Sequence, residues 1–289
     1  MIAPELVAES SLVLQKHART FRMASWFLPA AIRAEVAVVY AFCRQLDELA
    51  DTEGNASALA EIADELRGAA ARPLVAAYLS IAEKYAIPKH VAEDLLAGVR
   101  SDLHRVRVQD DAELRKYAYR VAGTVGWMMA CMLGVRDPQA LPLAVDLGIG
   151  MQLTNIARDV AEDARIDRIY LPERRLLAEG ILPESLVQGA ADREAVARVV
   201  RDVLTLAEVH YANADQGMRY LPWRARWAIF VAARGYRAIG RKLLAAGGDA
   251  LAGRTVLTPL ERFAAIVEGS AGMLGFGVAR PGEAQCRTA

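Results

Sequence analysis

Two stretches of this chain, 36–50 and 140–160, are apolar around most of the circumference they would present as helices. A helix without a polar face must be surrounded by other helices, so both segments call for the middle of a large bundle. The rest of the chain can supply the surrounding layer. Ala, Leu, Arg and Glu dominate and alternating β-branched residues are scarce, which predicts helices over 56–71, 73–86, 88–107, 110–135, 138–164, 192–220, 222–246 and 258–274. Pro29 falls at the start of a further helix with the body AIRAEVAVVYAFCRQLDELAD, and TEGN at 52–55 ends it. The stretch 165–185, carrying Pro172, Gly180 and Pro183, reads as irregular. With 54% apolar residues and no repeat or low-complexity linker, the expectation is one all-α domain over 1–274. A Gly/Pro/polar tail over 275–289 is expected to fray.

The first apolar helix is interrupted by Arg44, Asp47, Glu48 and Asp51. Asp47 and Asp51 are four apart, so on a helix their carboxylates share a face about 6 Å apart along the axis. Like charges so placed cost a few tenths of a kcal/mol, and desolvating them on an apolar helix costs more. Taken singly, the pair is as well explained by a solvated helix end. The segment MQLTNIARDVAED, 151–163, repeats the pattern: Asp159 and Asp163 are again four apart, with Asn155 four before Asp159 and Gln152 three before Asn155. These four fall on one stripe of the predicted helix, with only Arg158 beside them. Paired hard oxygen ligands on two helices suit Mg²⁺, which takes a few carboxylates together with water and substrate phosphates. Two such faces across a cavity can hold a diphosphate through bridging ions.

Other classes of function fit less well. The 35 basic and 35 acidic residues give no net field for a polyanion, so nucleic-acid binding is not expected. Cys43, Cys131 and Cys286 show no CxxC spacing, and the first two sit in apolar helical runs, as reduced buried thiols do. The sequence MIAPELVAESS does not resemble a signal peptide, and no uncharged apolar run reaches membrane-spanning length; VGWMMACMLGV at 125–135 reads as a core helix. A soluble or peripherally attached cytoplasmic protein is expected.

YAFCRQLDELAD (40–51) and QLTNIARDVAEDARIDRIYLPE (152–173) resemble the two signature regions of the squalene and phytoene synthase family. The likeness continues, in family order, through HARTF (17–21), LLAGVRSDL (95–103), VAGTVGWMM (121–129) and LPWRARWAI…ARGYRAIG (221–240). It implies an isoprenoid-synthase-type bundle with a central cavity. It also implies that Asp47, Asp51, Asp159 and Asp163, assisted by Asn155, hold a cluster of magnesium (or manganese) ions. Arg44 and Arg158 would contact diphosphate oxygens, as would His17 and Arg19. Arg168 and Tyr170 resemble a flap over the cavity, and Tyr40, Gln152 and Tyr236 match its polar lining. Arg254 is the better diphosphate candidate in LAGRTVLTPLER. The chain departs from the family at Arg120, where many relatives have a tyrosine before VAG, and at Glu48, where phytoene synthases commonly show a second aspartate.

The resemblance further implies the reaction. One allylic diphosphate ionises, the double bond of a second attacks the cation, and the cyclopropyl diphosphate formed ionises and rearranges. The small and aliphatic residues Ala41, Leu46, Leu49, Ala50, Leu153, Ile156 and Ala157 can line dry walls for these cations or simply pack. VAGTVG and DVAEDARIDRIYLP favour the carotenoid branch of the family, and the small Ser25 leaves room for a C20 chain. Geranylgeranyl diphosphate is the expected substrate and phytoene the product, with no need for NADPH; the C15 alternative is a squalene or presqualene diphosphate synthase, which in the squalene case requires it. A non-catalytic scaffold of the same fold should have lost the carboxylates. The hydrocarbon product calls for transient membrane contact on release.

Overall fold

The computed structural model describes residues 2–17, 28–51 and 55–275, and about three quarters of them are helical. In order they are α1 (Pro4–His17), α2 (Ala30–Asp51), α3 (Ala56–Arg67), α4 (Pro73–Lys84), α5 (Lys89–Ser101), α6 (Asp111–Ala118), α7 (Thr124–Met132), α8 (Ala140–Arg158), α9 (Val160–Arg165), α10 (Glu173–Ala178), α11 (Pro183–Val187), α12 (Arg193–Gly217), α13 (Trp223–Ala245) and α14 (Pro259–Gly275). The expected all-α class holds. The C-terminal tail from 276 onward lies outside the described residues, as does Cys286.

Local chemistry sets most boundaries. Pro29 accepts the amide of Arg33 to open α2, and Pro73 and Pro183 stand in the first turns of α4 and α11, where a missing N–H costs nothing. Asp110 and Asp192 cap α6 and α12 by accepting backbone N–H groups. Gly68 leaves α3 in the left-handed region (φ 120°), which is open to glycine.

The stretch 165–185, expected as irregular, holds α10 and the start of α11, and three predicted helices also depart from the sequence reading. The helix expected over 88–107 stops at Ser101, because Val106–Arg107 forms a short strand, β1, parallel to β2 (Arg168–Ile169). The helix expected over 110–135 contains a widened π turn at Tyr119–Gly123 between α6 and α7. The helix expected over 138–164 breaks at Asp159 (φ −99°, ψ 13°) into α8 and α9, so the polar stripe runs across a break.

The two apolar helices lie in two different cores. Val36, Val38, Val39, Phe42 and Leu46 of α2 pack with α3, α4, α5 and α7, where the Phe42 and Tyr78 rings stack at 4.1 Å. Ile149, Leu153, Ile156 and Ala157 of α8 pack with α12 and with the segment around β2. By length and composition α8 could cross a membrane, but here it packs mainly against α12 and α7. The α7–α8 crossing is backbone to backbone: a Cβ on Gly148 would lie 2.2 Å from the Ala122 carbonyl oxygen, and one on Gly126 2.3 Å from that of Ala144. Cys43 and Cys131 are buried free thiols, as expected.

Candidate active site

Between the two cores lies a polar cavity of about 330 Å³. Arg44, Asp47, Ala50 and Asp51 of α2 line one side; Gln152, Asn155, Ile156, Arg158, Asp159 and Asp163 of α8 and α9 line another. Both predicted aspartate pairs and the whole Gln152–Asn155–Asp159–Asp163 series thus share one space, despite the break at Asp159. Arg168 and Tyr170, expected as a flap, are also on its wall. Tyr40 and Tyr236, expected in the polar lining, are not among the residues that line this cavity. Burial pushes the Tyr40 hydroxyl up to about 12. Of the proposed wall residues, Ala50 and Ile156 reach the cavity, whereas Leu46, Leu153 and Ala157 are fully buried in the cores. His17 ends α1, and its side chain lies outside the described residues together with Arg19 and Ser25.

The cations are held by the acids. Arg44 Nε is 3.0 Å from Glu48 Oε1 on its own helix, Arg158 Nε donates to Asp159 Oδ1 at 2.7 Å, and Arg168 Nη1 donates to Asp51 at 2.7 Å. Arg254 also reaches Asp159, with Nε 3.1 Å from Oδ1, and lies 3.5 Å from Glu162. Asp159 is therefore shared by two guanidinium groups. Asp163 has no such partner among the described residues. Burial, then the like charge of Asp159, pushes its carboxyl up to about 7. Burial likewise raises Asp47 to about 7, with Arg44 opposing and Asp51 and Asp102 adding to the effect. Asp47 opens onto the cavity, so solvent screens part of this. Five aspartates and three arginines line the cavity, so with all of them ionised it carries an excess of negative charge.

Two polar residues of the site, Asp102 and Tyr117, carried no assigned role in the sequence reading. Asp102, just past α5, accepts the hydroxyls of Tyr117 at 2.9 Å and Tyr170 at 2.8 Å, and its backbone carbonyl accepts Arg168 Nη2 at 3.0 Å. Burial raises its pKa, against the two tyrosine hydrogen bonds and Arg168. Asp102 sits in the family-like segment LLAGVRSDL, but nothing local marks it as facing two distant tyrosines. The tyrosine that this part of the chain contributes is Tyr117. Tyr119 instead donates to Asp94 of α5, and the Cβ of Arg120 packs against Gly98 of the same helix.

A second, apolar cavity of about 150 Å³ begins one residue along the same helices. Ala122 and Met151 line it where Val121 and Gln152 line the first, and Gly126, Met129, Leu143 and Ile229 extend it. The segment 125–135 is largely buried core, as expected, and also forms one of its walls.

Among the described residues no three His, Cys, Asp or Glu side chains converge as a closed metal cage. The donor set still fits a hard divalent cation that keeps open positions for phosphate: hard carboxylate oxygens on two sides of one cavity, with uncompensated charge. A direct consequence is a pH-dependent response to metal. Between about pH 4 and 7 the native state is expected to hold a proton on Asp163, and on Asp47 to the smaller extent that solvent screening leaves, that the unfolded chain has lost, so these groups make stability fall as pH rises through that window. The metal-free protein is expected to lose thermal stability from about pH 5.5 to about pH 8, and Mg²⁺ to raise Tm more at the higher pH. Equal stabilisation by Mg²⁺ at both values in thermal melts would contradict the assignment of these carboxylates.

An all-helical bundle whose two central helices present aspartate pairs to one cavity has the isoprenoid-synthase architecture. Residues 14–261 match the squalene/phytoene synthase family, and the chain belongs to it. It is 36% identical over 278 residues to a 15-cis-phytoene synthase of Enterobacter agglomerans, covering 91% of this chain and 94% of that one. It is 38% identical to a phytoene synthase of Thermus thermophilus, covering 86% and 87% respectively. A solved dehydrosqualene synthase in complex with ligand superposes with a TM-score of 0.84 at 24% identity, over 94% of this chain and 98% of that one. A squalene synthase of Alicyclobacillus acidocaldarius superposes at 0.76 with 23% identity, over 85% and 97%. These two likenesses concern the fold.

Proposed function

We propose that this protein is a magnesium-dependent prenyltransferase that joins two geranylgeranyl diphosphates head to head to give phytoene, by way of a cyclopropyl diphosphate. The observation that carries the reading is an acid-lined chamber suited to diphosphates, with an apolar cavity suited to prenyl chains walled by residues next in sequence, Ala122 beside Val121 and Met151 beside Gln152. The phytoene synthase names of relatives at 36–38% identity over most of the chain support the C20 substrate and the carotenoid branch.

Asp47, Asp51, Asn155, Asp159 and Asp163 would hold the magnesium, which when bound neutralises the charge developing on the departing pyrophosphate. Arg44, Arg158, Arg168 and Arg254, now paired with carboxylates, are placed to turn to phosphate oxygens, which suit the guanidinium fork. The apolar walls exclude water that would quench an allylic cation. A scaffold function does not explain why five carboxylates, Asp102 included, are kept in one partly buried space at an electrostatic cost. Release of a C40 hydrocarbon into an apolar phase favours peripheral contact with a membrane, and a cytoplasmic protein at the membrane surface fits this reading.

The test is to incubate purified protein and Mg²⁺ with the C20 and the C15 diphosphates, each with and without NADPH. A C40 product from the C20 substrate, independent of NADPH, is expected. Squalene from the C15 substrate with no C40 product would overturn the reading.

A further inference from the structure

Asp102 joins three parts of the site that are far apart in the chain. Its carboxylate receives Tyr117 from α6 and Tyr170 from the segment after β2. Those two rings stack with centroids 4.7 Å apart and planes 27° apart. Its carbonyl receives Arg168, whose other nitrogen reaches Asp51 of the first aspartate pair. Both phenolic hydrogens are directed at Asp102, which as a carboxylate offers only acceptors. Both tyrosines line the cavity, which places their phenolic oxygens in its wall.

We propose that Asp102 is a positioning residue for the condensation: it fixes the hydroxyls of Tyr117 and Tyr170 so that their oxygens, rather than their hydrogens, face the chamber. This rests on the prenyl diphosphate reading. Oxygens held in that orientation favour the positive charge that develops as an allylic diphosphate ionises, and they need no reorganisation when it forms. Without Asp102 both hydroxyls are free to rotate and donate to the aspartates or to the diphosphate. That orientation would oppose the cation.

Asp102→Asn keeps the shape but presents an N–H donor to one of the two tyrosines, reversing that hydroxyl. Its kcat for phytoene formation is expected to fall roughly 10- to 100-fold, as for other residues that orient a reacting shell, with KM changed by less than about 3-fold. In the Tyr117→Phe/Tyr170→Phe background there is no hydroxyl to orient, and the same substitution should cost less than about 2-fold. Equal losses in both backgrounds, or a rise in KM with kcat retained, would overturn the proposal. If Asp102→Asn loses the folded circular dichroism spectrum, the phenylalanine double variant decides by itself: an unchanged kcat leaves Asp102 nothing to position. Wild-type protein that makes no phytoene would sink the functional reading instead, so the two failures are distinguishable.

Discussion

Asp163→Asn is expected to lower kcat by about 10³-fold while leaving the fold as stable as before, or more so at pH 8. Loss of one carboxylate from a site that must neutralise a departing pyrophosphate removes several kcal/mol of transition-state stabilisation, hence about three orders of magnitude. The stability half of the expectation follows from surroundings. Among the described residues the Asp163 carboxylate has no ion-pair partner, and burial and Asp159 hold its pKa near 7. Its charge is thus a cost to the native state above that pH, and the isosteric amide removes the cost. Asp159→Asn should behave differently, because it deprives Arg158 and Arg254 of a shared partner and is expected to cost stability as well as activity. Steady-state kinetics with thermal melts of both variants check this. Activity within tenfold of wild type for Asp163→Asn, or a large drop in Tm, would contradict it.

The second large effect concerns the α7–α8 crossing. A Cβ added to Gly148 would lie 2.2 Å from the Ala122 carbonyl oxygen and 2.8 Å from the Gly123 nitrogen, both backbone atoms that cannot swing aside. Gly148→Ala must push the two helices apart and is expected to cost about 3 kcal/mol or more, the upper range for overpacking. It should also disturb the apolar cavity that both helices wall. Gly150→Ala, two residues away, is the control: its Cβ would meet the Tyr211 ring at 3.3 Å. The gain of about 1 kcal/mol in helix propensity offsets that contact, so little net change is expected. Denaturant unfolding compares the two; equal destabilisation would show that the backbone contact is not the cause.

Much of this molecule was legible before any coordinates. An α-helix closes its hydrogen bonds within four residues, so periodicity and caps locate helices from local sequence. The same four-residue spacing made the Asp47–Asp51 and Asp159–Asp163 pairs visible, and Asn155 and Gln152 with them. The departures occur where long-range contact overrides the local pattern. Val106–Arg107 leaves the helical path to pair with Arg168–Ile169, some sixty residues on. The π turn at Tyr119–Gly123 contains Ala122, whose carbonyl meets Gly148 of another helix.

Residues of the site divide along the same line. The aspartate pairs are local objects, and the sequence alone determined them, together with the all-helical class and the two helices that had to be central. The tertiary structure decided that the two pairs share one cavity and that Arg254 reaches Asp159 from a distant loop. It also decided that Tyr117 rather than Tyr119 joins Tyr170 on Asp102. Such meetings depend on helix crossings set by side-chain packing between segments far apart in the chain, which no local spacing encodes.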